Sequence, residues 1–143
     1  DLLYPTDLIH ASFIDSLLDA EIDLFTGLAV SRYRMRYGFE SIGSPGEEPF
    51  DTIRKDLNED VIPRHLGNLE HILEKNSNQW FGNTTNPSII DFCLVPRLLW
   101  LEAHGEGICS EILKPYPKIC SLMNAFYKNK KVAAYYETNE KRI

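Results

Sequence analysis

The sequence predicts an all-α fold, a helical bundle wrapped around one buried central helix. Three observations predict it. No segment keeps the apolar–polar alternation of a half-buried strand for four residues between turn signals. Apolar residues recur instead at steps of three and four along most of the chain. Finally, residues 88–105 contain Phe92, Cys93, Leu94, Val95, Leu98, Leu99, Trp100 and Leu101, with Pro96 and a single charge, Arg97, inside the run. A helix apolar on nearly every face belongs at the centre of a domain with other helices around it.

The first helix is expected over residues 6–37. Thr6 can cap it and Asp7 stands in its first turn, where a carboxylate suits the helix dipole. Ile14, Leu17, Leu18, Ile22, Phe25, Leu28 and Ala29 form its stripe, and Gly38 is a reasonable stop. Residues 41–49, SIGSPGEEP, read as a turn-rich linker too short to separate domains. A second helix is expected from Glu47 or Pro49 to Lys75, striped by Phe50, Ile53, Leu57, Val61, Leu66, Leu69, Ile72 and Leu73. Pro63 in its middle removes a hydrogen bond and clashes with the preceding turn, so a bend is expected there. Residues 76–86 are a loop in which Trp80-Phe81-Gly82 reads as a packed anchor.

The central helix follows. Ser88 stands three residues before Asp91, so the serine can cap the helix while the carboxylate reaches back to the Ser88 N–H, a capping box with Asp in place of Glu. Asp91 is therefore read as a folding device, not a catalytic carboxylate. Pro96 bends this helix. A short apolar helix is expected over residues 108–113, ended by Pro115 and Pro117. Pro117 can open another helix that ends near Lys128, and a last helix covers about residues 132–139.

Composition bounds the function. A chain of 143 residues makes a single domain, 1–143, large enough to bury roughly two thirds of its unfolded surface. A net charge of −6 argues against a nucleic-acid partner, because phosphate contact needs a basic surface. No apolar run of 18 residues exists, so no membrane span is expected, and DLLYPTDL lacks the basic start of a signal peptide. Cys93, Cys109 and Cys120 are odd in number and fit no zinc spacing; Cys93 reads as a buried structural thiol in a reducing cytoplasm. The sequon at Asn83 is read as chance. His65 and His71 lack the four-residue spacing of a helical zinc site, and His10 and His104 are remote. No metal and no Cys/His nucleophile are expected, and each histidine reads as a surface or capping residue.

The capping box preceded by Trp80-Phe81-Gly82 resembles the cytosolic glutathione S-transferases, in particular their all-helical C-terminal domain. That family opens its central helix with Ser/Thr-x-x-Asp after such a loop, here Ser88-Ile89-Ile90-Asp91. Leu3-Tyr4-Pro5 is similar to the family's approach to this domain. The stretch Ile62-Pro63-Arg64-His65-Leu66-Gly67-Asn68-Leu69-Glu70 is similar to its second-helix ending. Tyr116-Pro117-Lys118-Ile119 and Val132-Ala133-Ala134-Tyr135 resemble its last two helices. Ile90 stands where the family often has Ala, so the packing there must differ.

The resemblance implies a partner half, a thioredoxin-like N-terminal domain that binds glutathione and activates its thiol. No βαβ pattern precedes Asp1, so that half is expected to be absent from this chain. By itself the chain is expected to hold hydrophobic small molecules weakly and to catalyse nothing; the parent protein would be a detoxifying transferase, a homodimer with glutathione as co-substrate and no other cofactor. The family implies that Asp23, with Asp19 second, contacts glutathione across the dimer. These residues continue a stripe from Asp15 whose bland reading is a solvated acidic face. Phe25, Ala29, Tyr33 and Tyr37, with Leu28 read more as packing, would wall the electrophile pocket. Arg32, Arg34 and Arg36 spread around a helix end and read as a solvated end where cations suit the dipole, one of which could meet a substrate carboxylate. The alternative function is a non-catalytic protein-interaction adaptor, of the kind found in translation factors and aminoacyl-tRNA synthetase complexes. A ligand-binding helical protein of unrelated origin is a third.

Overall fold

The computed structural model describes residues 3–139, and among these it holds helices and no strand. Helix α1 spans Leu8–Arg32, α2 Arg34–Tyr37, α3 Phe50–Asp56, α4 Ile62–Lys75, α5 Ile89–His104, α6 Pro117–Lys128 and α7 Lys130–Asn139. A 3₁₀ turn, Glu40–Ile42, lies in the linker, and a π-helical turn, Leu57–Val61, joins α3 to α4.

The first expected helix is divided, and its start is shifted by one residue. Asp7, not Thr6, is the cap: its carboxylate accepts from the His10 N–H at 2.9 Å. The helix breaks at Tyr33, just after Ser31 turns its hydroxyl back to the Gly27 carbonyl (2.6 Å). Such back-bonding competes with the backbone ladder and bends helices. Gly38, with φ of 75°, ends α2 in the left-handed conformation expected of a helix stop.

The bend expected at Pro63 takes the form of the π turn immediately before it. Proline crowds the carbonyl four residues back, and widening the preceding turn relieves that crowding. The turn also aims Asn58 at the loop after α5. Its side chain donates to the Gly107 carbonyl (2.7 Å) and accepts from the Cys109 N–H (2.8 Å).

Residues 108–113 do not form the expected helix. Gly107 at φ 71° and the prolines at 115 and 117 leave too little chain to nucleate one, and the backbone makes successive three-residue turns instead. Helix α7 starts two residues earlier than expected, because the Asn129 side chain accepts from the Lys131 N–H.

Helix α1 packs on α4 and α5, α6 packs on α4 and α5, and α7 packs on α6. Helix α5 is the centre of this arrangement. Ile90, Leu94, Val95, Leu98 and Leu101 are buried in one core with Ile14, Leu17 and Leu24 of α1, Leu66 and Leu69 of α4, and Ile119, Leu122 and Phe126 of α6. Each such side chain stabilises the fold by about 1.5–3 kcal/mol relative to exposure. The central helix is nevertheless not covered all round: Phe92 and Leu99 are 40% and 44% exposed, with Pro96 half-buried between them. Phe92 meets the Phe126 ring of α6 edge-on at 5.1 Å.

Candidate functional site

The start of α5 is built from three chain segments. The capping box between Ser88 and Asp91 is complete. One Asp91 oxygen accepts from the Ser88 N–H at 2.8 Å and the Ser88 hydroxyl at 2.9 Å; the other accepts from the Phe81 N–H at 3.0 Å. Asp91 is 0% exposed. Burial pushes its carboxyl above the usual range, and the bonds from Phe81 and Ser88 only partly pull it back. With every contact directed at backbone or at its own cap, Asp91 is a fastening, as its spacing implied.

The loop before the box is seated as an anchor. Trp80 and Phe81 are buried, and the Asn76 side chain donates to both of their carbonyls. Gly82 lies so close to the cap that an added Cβ would sit 2.6 Å from Ser88 Oγ. His10 on α1 bonds the Gly82 carbonyl through Nε2, a tertiary tie where a surface or capping residue was expected.

One cleft opens between α1 and α5. Phe25, Leu28, Ala29, Tyr33, Arg97 and Trp100 line about 180 Å³. Three of the four residues expected at an electrophile pocket, Phe25, Ala29 and Tyr33, therefore come together, and Leu28 joins them. Tyr37 does not: it lies beyond the break at Tyr33, in α2, and is exposed. Trp100 enters from the opposite wall, one of two residues that the sequence reading missed. The periodicity placed Trp100 in the apolar run but could not say which stretch of α1 it faces.

The other is Arg97, the one charge of that run. Its guanidinium is ion-paired with Glu21 of α1 and lies 4.1 Å from the Phe25 ring centroid. Glu21 is 4% exposed, whereas the Arg97 side chain is 44% exposed. Burial raises the Glu21 carboxyl above its ordinary range, and the Arg97 charge opposes that rise. The pair explains how a charge is tolerated in the central helix: its partner is a buried carboxylate and its support an aromatic face. Cys93, one turn earlier, is half-buried. Burial and then Glu21 push its thiol up, away from the reactive thiolate.

Asp19 and Asp23 are exposed. Two residues along an α-helix is roughly 200° around it, so Asp23 stands on the far side of α1 from Phe25, and the structure does not bring it to the cleft. Asp15 accepts from the Tyr4 hydroxyl at 2.7 Å. The arginine-rich end of α1 is more engaged than a solvated face. Arg32 stacks 5.1 Å from the Trp100 centroid, and Arg34 lies over Phe50 and donates to the Ser31 carbonyl. The described residues contain no grouping of His, Cys, Asp and Glu that could hold a metal ion, and no helix long and apolar enough to cross a membrane. The three thiols are unpaired with one another.

An all-helical bundle, a central helix begun by a buried Ser-x-x-Asp box and an aromatic cleft against that helix define the class of helical domain to which this chain belongs. Residues 40–139 match the family described as glutathione S-transferase, C-terminal domain, and the chain belongs to that family. No curated protein and no solved structure matches it. The matched stretch holds the capping box, Arg97 and Trp100, whereas the α1 wall of the cleft precedes it.

Proposed function

We propose that this chain is the electrophile-binding half of a glutathione S-transferase. Joined to a thioredoxin-like half that binds glutathione and activates its thiol, it would present the apolar wall against which an electrophile is held for conjugation. The observation that carries this reading is the cleft. Its lining is mostly apolar with one charged group, the composition of a small-molecule site, but its 180 Å³ falls short of the roughly 300–1,000 Å³ such sites need. A second wall would complete it. The exposed apolar residues Ile22 of α1 and Phe92 and Leu99 of α5 offer surface for that wall.

In this reading the protein works as a homodimer in the cytoplasm, in detoxification, with glutathione as co-substrate. Asp23, and next to it in rank Asp19, reach the glutathione of the partner subunit from the outer face of α1. Tyr33 contacts the electrophile; Tyr37, away from the cleft, drops out of the wall. A protein carrying both halves should be retained on immobilised glutathione and should conjugate a chromogenic electrophile. Tyr33→Ala should raise KM for the electrophile several-fold and leave that for glutathione unchanged. Absence of both retention and conjugation would refute the transferase reading.

One observation favours the adaptor alternative. Phe92, Pro96, Val132 and Tyr135 line an apolar groove of about 350 Å³ at the surface of α5 and α7, a shape that also suits a protein partner. A two-half protein that binds no glutathione would give that reading precedence.

A further inference from the structure

We propose that the α1–α5 cleft selects aromatic anions, ligands with a flat apolar body and a carboxylate or sulfonate. The inference rests on the reading of the cleft as an electrophile wall and names the substrate class for it. Five of the six lining residues, Phe25, Leu28, Ala29, Tyr33 and Trp100, supply apolar or aromatic surface, and the sixth is a cation. No carboxylate is among them. The Glu21 carboxylate that balances Arg97 is buried, so the half-exposed guanidinium is the charge a ligand meets.

Arg97 is also held in place. Glu21 fixes it from α1 and the Phe25 ring supports it at 4.1 Å. A guanidinium carries five N–H donors in a rigid fork, more than one carboxylate can use. Donors already ordered cost a ligand little conformational entropy. Arg32 adds a second positive charge on the same floor, 5.1 Å from the Trp100 centroid and 5.8 Å from that of Tyr33. Its contribution is a field at the rim and needs no bond to the ligand. Asp23, the aspartate of the α1 stripe nearest the cleft in sequence, lies on the far side of the helix. A neutral aromatic gains only buried area here, whereas an anion adds a charge-assisted hydrogen bond, roughly twice the strength of a neutral one.

The test titrates the 143-residue chain with 2-naphthoate and with its uncharged amide, following the Trp100 indole N–H resonance. Naphthoate should move that resonance and bind about tenfold or more tightly than the amide, with the preference shrinking as salt is raised. The double variant Glu21→Gln/Arg97→Gln removes both charges and leaves no orphaned carboxylate; folded by its own amide spectrum, it should keep no more than the about two- to fivefold preference that the Arg32 field supplies. Arg32→Gln, at the exposed rim, should narrow the preference about two- to fivefold, the effect of one partly screened charge, and it tests the field if the double variant does not fold. Equal affinities in the unmodified chain, or a preference undiminished in the folded double variant, would overturn the proposal while leaving an apolar wall in place. If neither probe moves the Trp100 resonance, the wall reading falls with it.

Discussion

Arg97 shows how much a single side chain can hide from a linear reading. In the sequence it is the lone charge of an apolar run; in the structure it joins α1 to α5 through Glu21 and the Phe25 ring. Ser88 and Asp91 were legible because their chemistry is local and the box spacing is set by helix geometry. The Glu21–Arg97 link was not, since nothing in either sequence neighbourhood says which helix faces which. The same distinction separates Phe25, Ala29 and Tyr33, which share a helical stripe, from Trp100, which completes their cleft from another helix. Breaking the ion pair from one side should be costly. Arg97→Ala strands a buried carboxylate and should destabilise the fold by about 3–5 kcal/mol, whereas Glu21→Gln/Arg97→Gln should cost far less. Urea denaturation of the two variants measures the difference; equal losses would show that the charges do not act as a unit.

At the scale of elements, periodicity located the helices and local chemistry shifted their ends. Asp7 displaced Thr6 as a cap, Ser31 divided the first helix, and the π turn took up the crowding at Pro63. The expected helix at residues 108–113 failed for want of length. Helix α6 shows a fastening that no window of sequence reveals. Tyr116 gives it no side-chain cap, and Glu70 of α4 accepts instead from the Lys118 and Ile119 N–H groups at 2.8 and 3.0 Å. A carboxylate there also suits the helix dipole. Glu70→Ala should therefore cost about 1–2 kcal/mol and speed amide exchange at Lys118 and Ile119 before the rest of α6; uniform exchange would contradict the cap. Helix α7 is held partly by rings, with Tyr127 of α6 5.5 Å from Tyr136. Burial, and after it Tyr136, push the Tyr127 hydroxyl up to about 12. A raised pKa means that the folded state keeps a proton the unfolded chain releases. Stability from this group is full below pH ~10 and is lost as pH rises toward about 12. Tyr127→Phe should flatten that stretch of the stability–pH curve, and an unchanged slope between about pH 10 and 12 would remove the argument.

At the scale of the molecule, the fold class, the central helix and the family were all legible in the sequence, because the Trp80-Phe81-Gly82 loop and the Ser88–Asp91 box lie within a few residues of each other. The loop, the cap and α5 meet on one carboxylate, and α1 joins them through His10 and Gly82. Asp91 is therefore the point where the bundle is tied together. Urea denaturation of Asp91→Ala against the unmodified chain is the sharpest test of that role. Loss of the carboxylate leaves the Phe81 and Ser88 N–H groups buried without an acceptor, at about 1–3 kcal/mol each. The predicted result is a midpoint lowered by a stability loss of about 2–6 kcal/mol, with one cooperative transition retained. An unchanged midpoint would mean that the central helix begins where it does without this carboxylate.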